Sequence, residues 1–96
     1  MAFKFNPFSA TLDITSPSSG TVMVFTSSAT VGGAADETLT VTGLLATDTI
    51  ISVTQKTQGS GNLPLLGWFN QTNDAITGHW IGDPVIGAVL LVAVVR

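Results

Sequence analysis

Cysteine is absent from this chain, and charge is nearly so. Without thiols there are no disulfides, no thiolate nucleophile and no Cys-ligated zinc, so stability has to come from packing. Only 9% of the residues are charged, where a soluble globular domain averages about 25%. The surface must therefore be made largely of Thr, Ser, Asn, Gln and Gly. The three basic residues, Lys4, Lys56 and Arg96, lie far apart in the sequence. They supply no cationic patch for phosphates, so a nucleic-acid partner is not expected. Tyrosine is missing as well, and helix signals are almost absent. Met1-Ala2-Phe3-Lys4-Phe5-Asn6-Pro7-Phe8 is interrupted by Lys, Asn and Pro and lacks the unbroken apolar centre of a signal peptide, so synthesis in a cytoplasm is expected.

What is present is an apolar run of 11 residues, Val85 to Val95. It is much shorter than the roughly 20 residues of a membrane-crossing helix and carries Gly87 inside it, so no membrane partner is expected. Read as a strand, it is apolar on both faces, and each face needs cover: one from the domain's own core, the other from a second layer or another subunit. A chain of 96 residues makes one domain with a modest core, and oligomerisation would supplement it.

The remaining pattern predicts an all-β fold. Strands are expected at Thr21 to Val31 with a break near Ser27-Ser28, then Glu37 to Thr42, Thr49 to Lys56, Leu63 to Gln71, Ala75 to Ile81 and Ile86 to Val95. Turn chemistry fills the gaps at Gly32-Gly33, Gly59-Ser60-Gly61-Asn62, Asn70 to Asp74 and Gly82-Asp83-Pro84. Leu39 and Val41 alternate with Thr38, Thr40 and Thr42, which predicts one dry face and one wet face, and Ile51 and Val53 continue the dry series. The architecture expected is a small antiparallel β-sandwich, jelly-roll-like or barrel-like, over residues 21–96. It is preceded by an extended N-terminal arm and turn-rich linker over residues 1–20.

Reactive groups are sparse. His79 is the single histidine and has no cysteine to share a zinc with; no acid partner for a serine triad is specified. Asp36 and Glu37 are adjacent and project to opposite faces of a strand, so they cannot act as paired carboxylates. Gly59-Ser60-Gly61-Asn62 lacks the following Lys-Ser or Lys-Thr of a phosphate cradle and is expected to be a hairpin loop. Asn70, Asn73 and Asp74 bring one carboxylate and two amides, too little charge for a strong calcium site, and a turn accounts for them. Asn70-Gln71-Thr72 matches the glycosylation acceptor pattern, which without a secretory signal carries no weight. No catalytic residue, metal or cofactor is expected, and the protein is not expected to be an enzyme.

Trp68 and Trp80 fall in neighbouring strands, either as core fillers or as a flat stacking platform. Core is the expectation for both. Phe3 and Phe5 alternate with Lys4 and Asn6, so an extended arm would put both on one side as anchors for a partner's groove, with Phe8 close behind.

The stretch Ala29-Thr30-Val31-Gly32-Gly33-Ala34-Ala35-Asp36-Glu37-Thr38-Leu39-Thr40-Val41-Thr42-Gly43-Leu44, continued by Thr47-Asp48-Thr49-Ile50, resembles a pattern of small virion proteins of tailed bacteriophages. The Asp83-Pro84 turn and the closing Val89-Leu90-Leu91-Val92-Ala93-Val94-Val95-Arg96 are similar to it too. The likeness runs from Ala29 onward and is to head decoration (cement) proteins, or to the capsid-binding base domains of head fibres. It implies a β-sandwich that sits outside an icosahedral shell, commonly as a homotrimer, bridges subunits of the major capsid protein and is located in the virion. The contacts expected to capsid or sister subunits are Phe3, Phe5 and Phe8 of the arm with Trp68, Trp80, Leu91 and Val95. Two other readings stand beside it: a carbohydrate-binding or host-adhesion module built on Trp68, Trp80 and the loop Asn70 to Asp74, and a tail or baseplate component.

Overall fold

Period-two alternation and β-branched residues produce strands wherever the sequence provides them, and the computed structural model, which describes residues 20–96, contains no helix among those residues. The strands in chain order are β1 (Val22–Thr26), β2 (Asp36–Thr40), β3 (Thr49–Thr57), β4 (Leu65–Thr72), β5 (Ala75–Trp80) and β6 (Val89–Val95). Strand β6 pairs antiparallel with β1 and β3, and β5 with β2 and β4. The result is two three-stranded sheets ordered β1-β6-β3 and β2-β5-β4, packed as the expected antiparallel sandwich. The arm with Phe3, Phe5 and Phe8 lies outside the described residues.

Only β4 and β5 are consecutive neighbours within a sheet; every other connection crosses from one sheet to the other. This corrects the reading of Gly59-Ser60-Gly61-Asn62 as a hairpin loop. The segment does turn, with the Asn62 N–H donating to the Gly59 carbonyl at 2.8 Å, but it carries the chain from β3 into the opposite sheet.

The inner faces follow the alternation. Leu39 and Val41 are buried while Thr38, Thr40 and Thr42 are exposed. In β6, Leu90, Val92 and Val94 are fully buried. Strand β6 starts at Val89 rather than Ile86 because Val85 and Gly87 have φ of 63° and 93°, outside the extended region. One cluster joins Val41, Leu44, Ile76, Val92 and Val94, with Met23, Phe25, Ile50 and Val53 half-buried against it. The other joins Leu39, Trp80, Ala88 and Leu90, with Val53 and Leu65. Ile51 departs from expectation: a register shift between Ile50 and Ser52 moves it off the dry face, and it is 55% exposed. A bulge of this kind reverses the parity of every position beyond it.

One end of the sandwich is closed by polar contacts around the β2–β3 connection. Arg96 donates from Nε and from a terminal guanidinium nitrogen to the two oxygens of Asp48, each at 2.8 Å, and also to the Gly43 carbonyl at 2.7 Å. Its guanidinium lies 5.7 Å from the centre of the Phe25 ring. The Arg96 hydrogen bonds, helped by the Leu45 N–H, outweigh the burial that would raise the carboxyl and hold Asp48 at about 2, below its ordinary 3.8. A depressed folded pKa stabilises above the unfolded value and loses that effect as pH falls through the folded one. Asp48→Asn is therefore expected to lower the Tm near neutral pH, and its deficit against the parent should close between pH 3.8 and about 2. Thermal melts of both proteins across that window check it; a deficit independent of pH would contradict it.

Candidate interaction surface

Because β6 buries Leu90, Val92 and Val94, its alternate residues Val89, Leu91, Ala93 and Val95 face outward and remain half-buried. The ladder places Val22 opposite Val95, Val24 opposite Ala93 and Thr26 opposite Leu91. On the other side Thr49, Ser52, Thr54 and Thr57 oppose Val95, Ala93, Leu91 and Val89. Val22 and Val24 are 64% and 60% exposed. The outer face of β1-β6-β3 is therefore an apolar strip, widened by Ile51 and bordered by Thr and Ser, with no charge at any of its paired positions. A continuous apolar patch on a sheet face marks an interaction site more often than an idle surface.

The outer face of β2-β5-β4 is different. Asp36 pairs with the Nδ1 of His79, and Thr38 Oγ1 and Thr77 Oγ1 lie 2.8 Å apart. These polar pairs occupy the β2–β5 part of the face, whereas on β4 Phe69, opposite Thr77, is 39% exposed, so this face is mixed rather than apolar.

Of the residues singled out in the sequence, Leu91 and Val95 lie on the apolar outer face. Trp80 does not: it is fully buried, and its indole N–H donates to Gln55 Oε1 at 3.1 Å. It presents no surface to capsid, subunit or sugar, because β5 is the central strand of its sheet. Trp68 is 38% exposed, since β4 is an edge strand, and this corrects the expectation of a core position for it. The two indoles form no common platform. Val22, Val24 and Ile51 were missed. The signal for the first two was available, since Val22-Met23-Val24-Phe25 is apolar on both faces just as the last strand is.

The polar side chains at the loops hold backbone rather than ligands. Asn73 Oδ1 and Asp74 Oδ1 accept from the Ala46 and Gly43 N–H groups, each at 2.8 Å, which fixes the β4–β5 turn to the β2–β3 connection. At the opposite end Glu37 accepts from the Val31 and Gly32 N–H groups, and Asp83 accepts from Gly33 and Val85 at 2.9 and 2.8 Å. Among the described residues no three His, Asp or Glu side chains converge as a metal-binding group. A shallow hollow beside β3, lined by Val53, Thr54, Gln55, Gln58, Pro64 and Leu65, contains no titratable side chain. No helix among the described residues is long and apolar enough to cross a membrane. Comparison with known proteins finds no matching family model, no matching curated protein and no matching solved structure.

Proposed function

We propose that this chain is a bacteriophage virion protein that decorates the outer surface of the capsid and stabilises it by bridging subunits of the major capsid protein. The observation that carries the reading is the bare apolar strip on the outside of β1-β6-β3, which has no charge at any of its paired positions. Such a strip is a surface to bury. The strip would seat on capsid or sister subunits, with Val22, Val24, Leu91 and Val95 as contacts and the aromatic arm as a second anchor; assembly as a homotrimer is part of the proposal. No reaction is involved. Binding only to the assembled shell stabilises that shell by the binding free energy at each site, repeated over its surface.

Quantitative mass spectrometry of purified virions tests the proposal. About one copy per major capsid subunit is expected, the stoichiometry at which mass action stabilises the whole shell. A few copies per particle would assign the chain to a tail or baseplate, and its absence from virions would reject the reading. Val24→Lys changes an exposed side chain and should leave folding stability within about 0.5 kcal/mol. Capsid occupancy of that variant should fall at least about tenfold at equal input, and unchanged occupancy would remove the strip from the contact. The carbohydrate-binding alternative loses half its platform to the burial of Trp80.

A further inference from the structure

Strand β1 pairs with β6 on one side, and nothing among the described residues pairs with it on the other. Thr21 exchanges backbone hydrogen bonds with Arg96 at 3.1 and 2.9 Å, and the Ser27 N–H donates to the Leu90 carbonyl at 2.9 Å. By antiparallel alternation Met23 and Phe25 turn their backbone groups toward β6, while Val22, Val24 and Thr26 turn theirs toward the open edge. The side chains at that edge are also short of cover. Met23 and Phe25 point inward but are only half-buried, and Val22 and Val24 are exposed on the outer face.

The other edge strands are guarded. Strand β2 carries Asp36 and Glu37, and β3 carries Lys56. Strand β4 is interrupted by register shifts between Leu65 and Gly67 and between Phe69 and Thr72. Strand β1, Val22-Met23-Val24-Phe25-Thr26, has neither charge nor a register shift along its pairing with β6. Charge and bulges are what keep edges apart, and an edge with neither is a template for another strand. We propose that its occupant is β1 of a second copy of this chain, paired antiparallel about a two-fold axis at Val24, so that the two sheets join into one ordered β3-β6-β1-β1-β6-β3.

What singles out a second copy is that the strand fits itself. Directly opposed residues share a face, and the axis at Val24 sets Val22 opposite Thr26, Val24 opposite Val24 and Met23 opposite Phe25 of the second copy. Outward residues meet outward ones, and inward residues meet inward ones. Every edge-facing N–H and C=O of Val22, Val24 and Thr26 finds a partner within β1. Each half-buried Met23 gains a Phe25 ring beside it, a contact that a thioether and an aromatic edge favour. With no charge on the strand, two identical copies meet without like-charge repulsion. Moving the axis to Met23 or Phe25 keeps the faces matched but leaves Thr26 or Val22 without a partner in β1. Placing it between Met23 and Val24 sets Val22 against Phe25 and mismatches the two faces. The pairing also runs the apolar strips of both copies together into one. The contact is isologous, so it is additional to the homotrimer proposed above and does not depend on the capsid reading.

Sedimentation equilibrium of the full-length protein, without capsids, tests it. In Val24→Pro the lost N–H faces the open edge, so the β6 ladder keeps its bonds while the central pair at the axis is broken. The parent is expected to have twice the mass of Val24→Pro; equal masses overturn the proposal. Because the chain has no cysteine, a single introduced thiol reads the register. Val24→Cys places two Cα atoms about 5.5 Å apart across the axis, within disulfide reach. Val22→Cys, at a position just as exposed, leaves its two Cα atoms about 14 Å apart along the ladder. On oxidation Val24→Cys should form covalent dimer at least about tenfold faster than Val22→Cys. Equal rates would reduce both to chance collision and overturn the contact, whether or not Val24→Pro folds.

Discussion

Trp80→Ala is expected to cost about 3–5 kcal/mol, a large share of the roughly 5–15 kcal/mol that holds a domain of this kind together. The indole is the largest fully buried side chain and belongs to the cluster with Leu39, Ala88 and Leu90. It also folds back over its own strand, since a Cβ built on Gly78 would lie 2.6 Å from the Trp80 ring. Removing it opens a cavity between the sheets and strands the partner of its N–H only partly, because Gln55 Oε1 still accepts from the Leu65 N–H at 3.0 Å. The packing loss therefore dominates the hydrogen-bond loss, and Trp80→Phe should recover most of the stability. Urea unfolding followed by far-UV circular dichroism checks both variants. A midpoint for Trp80→Ala close to that of the parent would mean that the sheets do not pack through this side chain.

Gly59→Ala is expected to destabilise by about 2–4 kcal/mol, although it adds a single methyl group. A Cβ at this position would stand 2.1 Å from the carbonyl oxygen of Pro84 and 3.1 Å from that of Ile86. Both obstacles are backbone, so no side-chain rotation relieves them. The same two carbonyls accept from Gly61 at 3.2 Å and Ser60 at 2.7 Å, and the loop must give up those bonds to make room. Gly67 is the control: a Cβ there meets nothing within 4 Å, and Gly67→Ala should be neutral or slightly stabilising by limiting the unfolded chain. Differential scanning calorimetry of the pair reads the contrast directly, and equal Tm values would refute the close approach at Gly59.

Strand positions were legible where period-two alternation reports local geometry, as with Leu39 and Val41 against three threonines, and in the last run from its unbroken apolar, β-branched composition, which marks a strand without saying which of its faces turns inward. Topology was less so. Gly59-Ser60-Gly61-Asn62 shows that the chain reverses, but the residues of a turn look the same whether it leads back along one sheet or across to the other. The two tryptophans make the same point about burial. Both sit in β-favourable surroundings, and what separates them is that β5 lies between two strands while β4 lies at an edge, a fact of pairing rather than of composition. Ile51 was displaced by a bulge that no local pattern announces. The apolar outer strip was half legible, in Leu91 and Val95, and its other half lies in a strand that becomes a neighbour of β6 only after folding.

The two outer faces differ enough to make the folded domain amphiphilic, with a water-repelling side formed by Val22, Val24 and Leu91 and a more polar one where Thr38, Thr40 and the Asp36–His79 pair accompany Phe69. A body of that kind is a surfactant in its own right. It should collect at an air–water boundary and lie flat there with β1-β6-β3 toward the air, so foaming and adsorption to plastic would deplete a dilute sample. For anyone using the domain as a display scaffold, the opposite side is the one on which a passenger would stay in water.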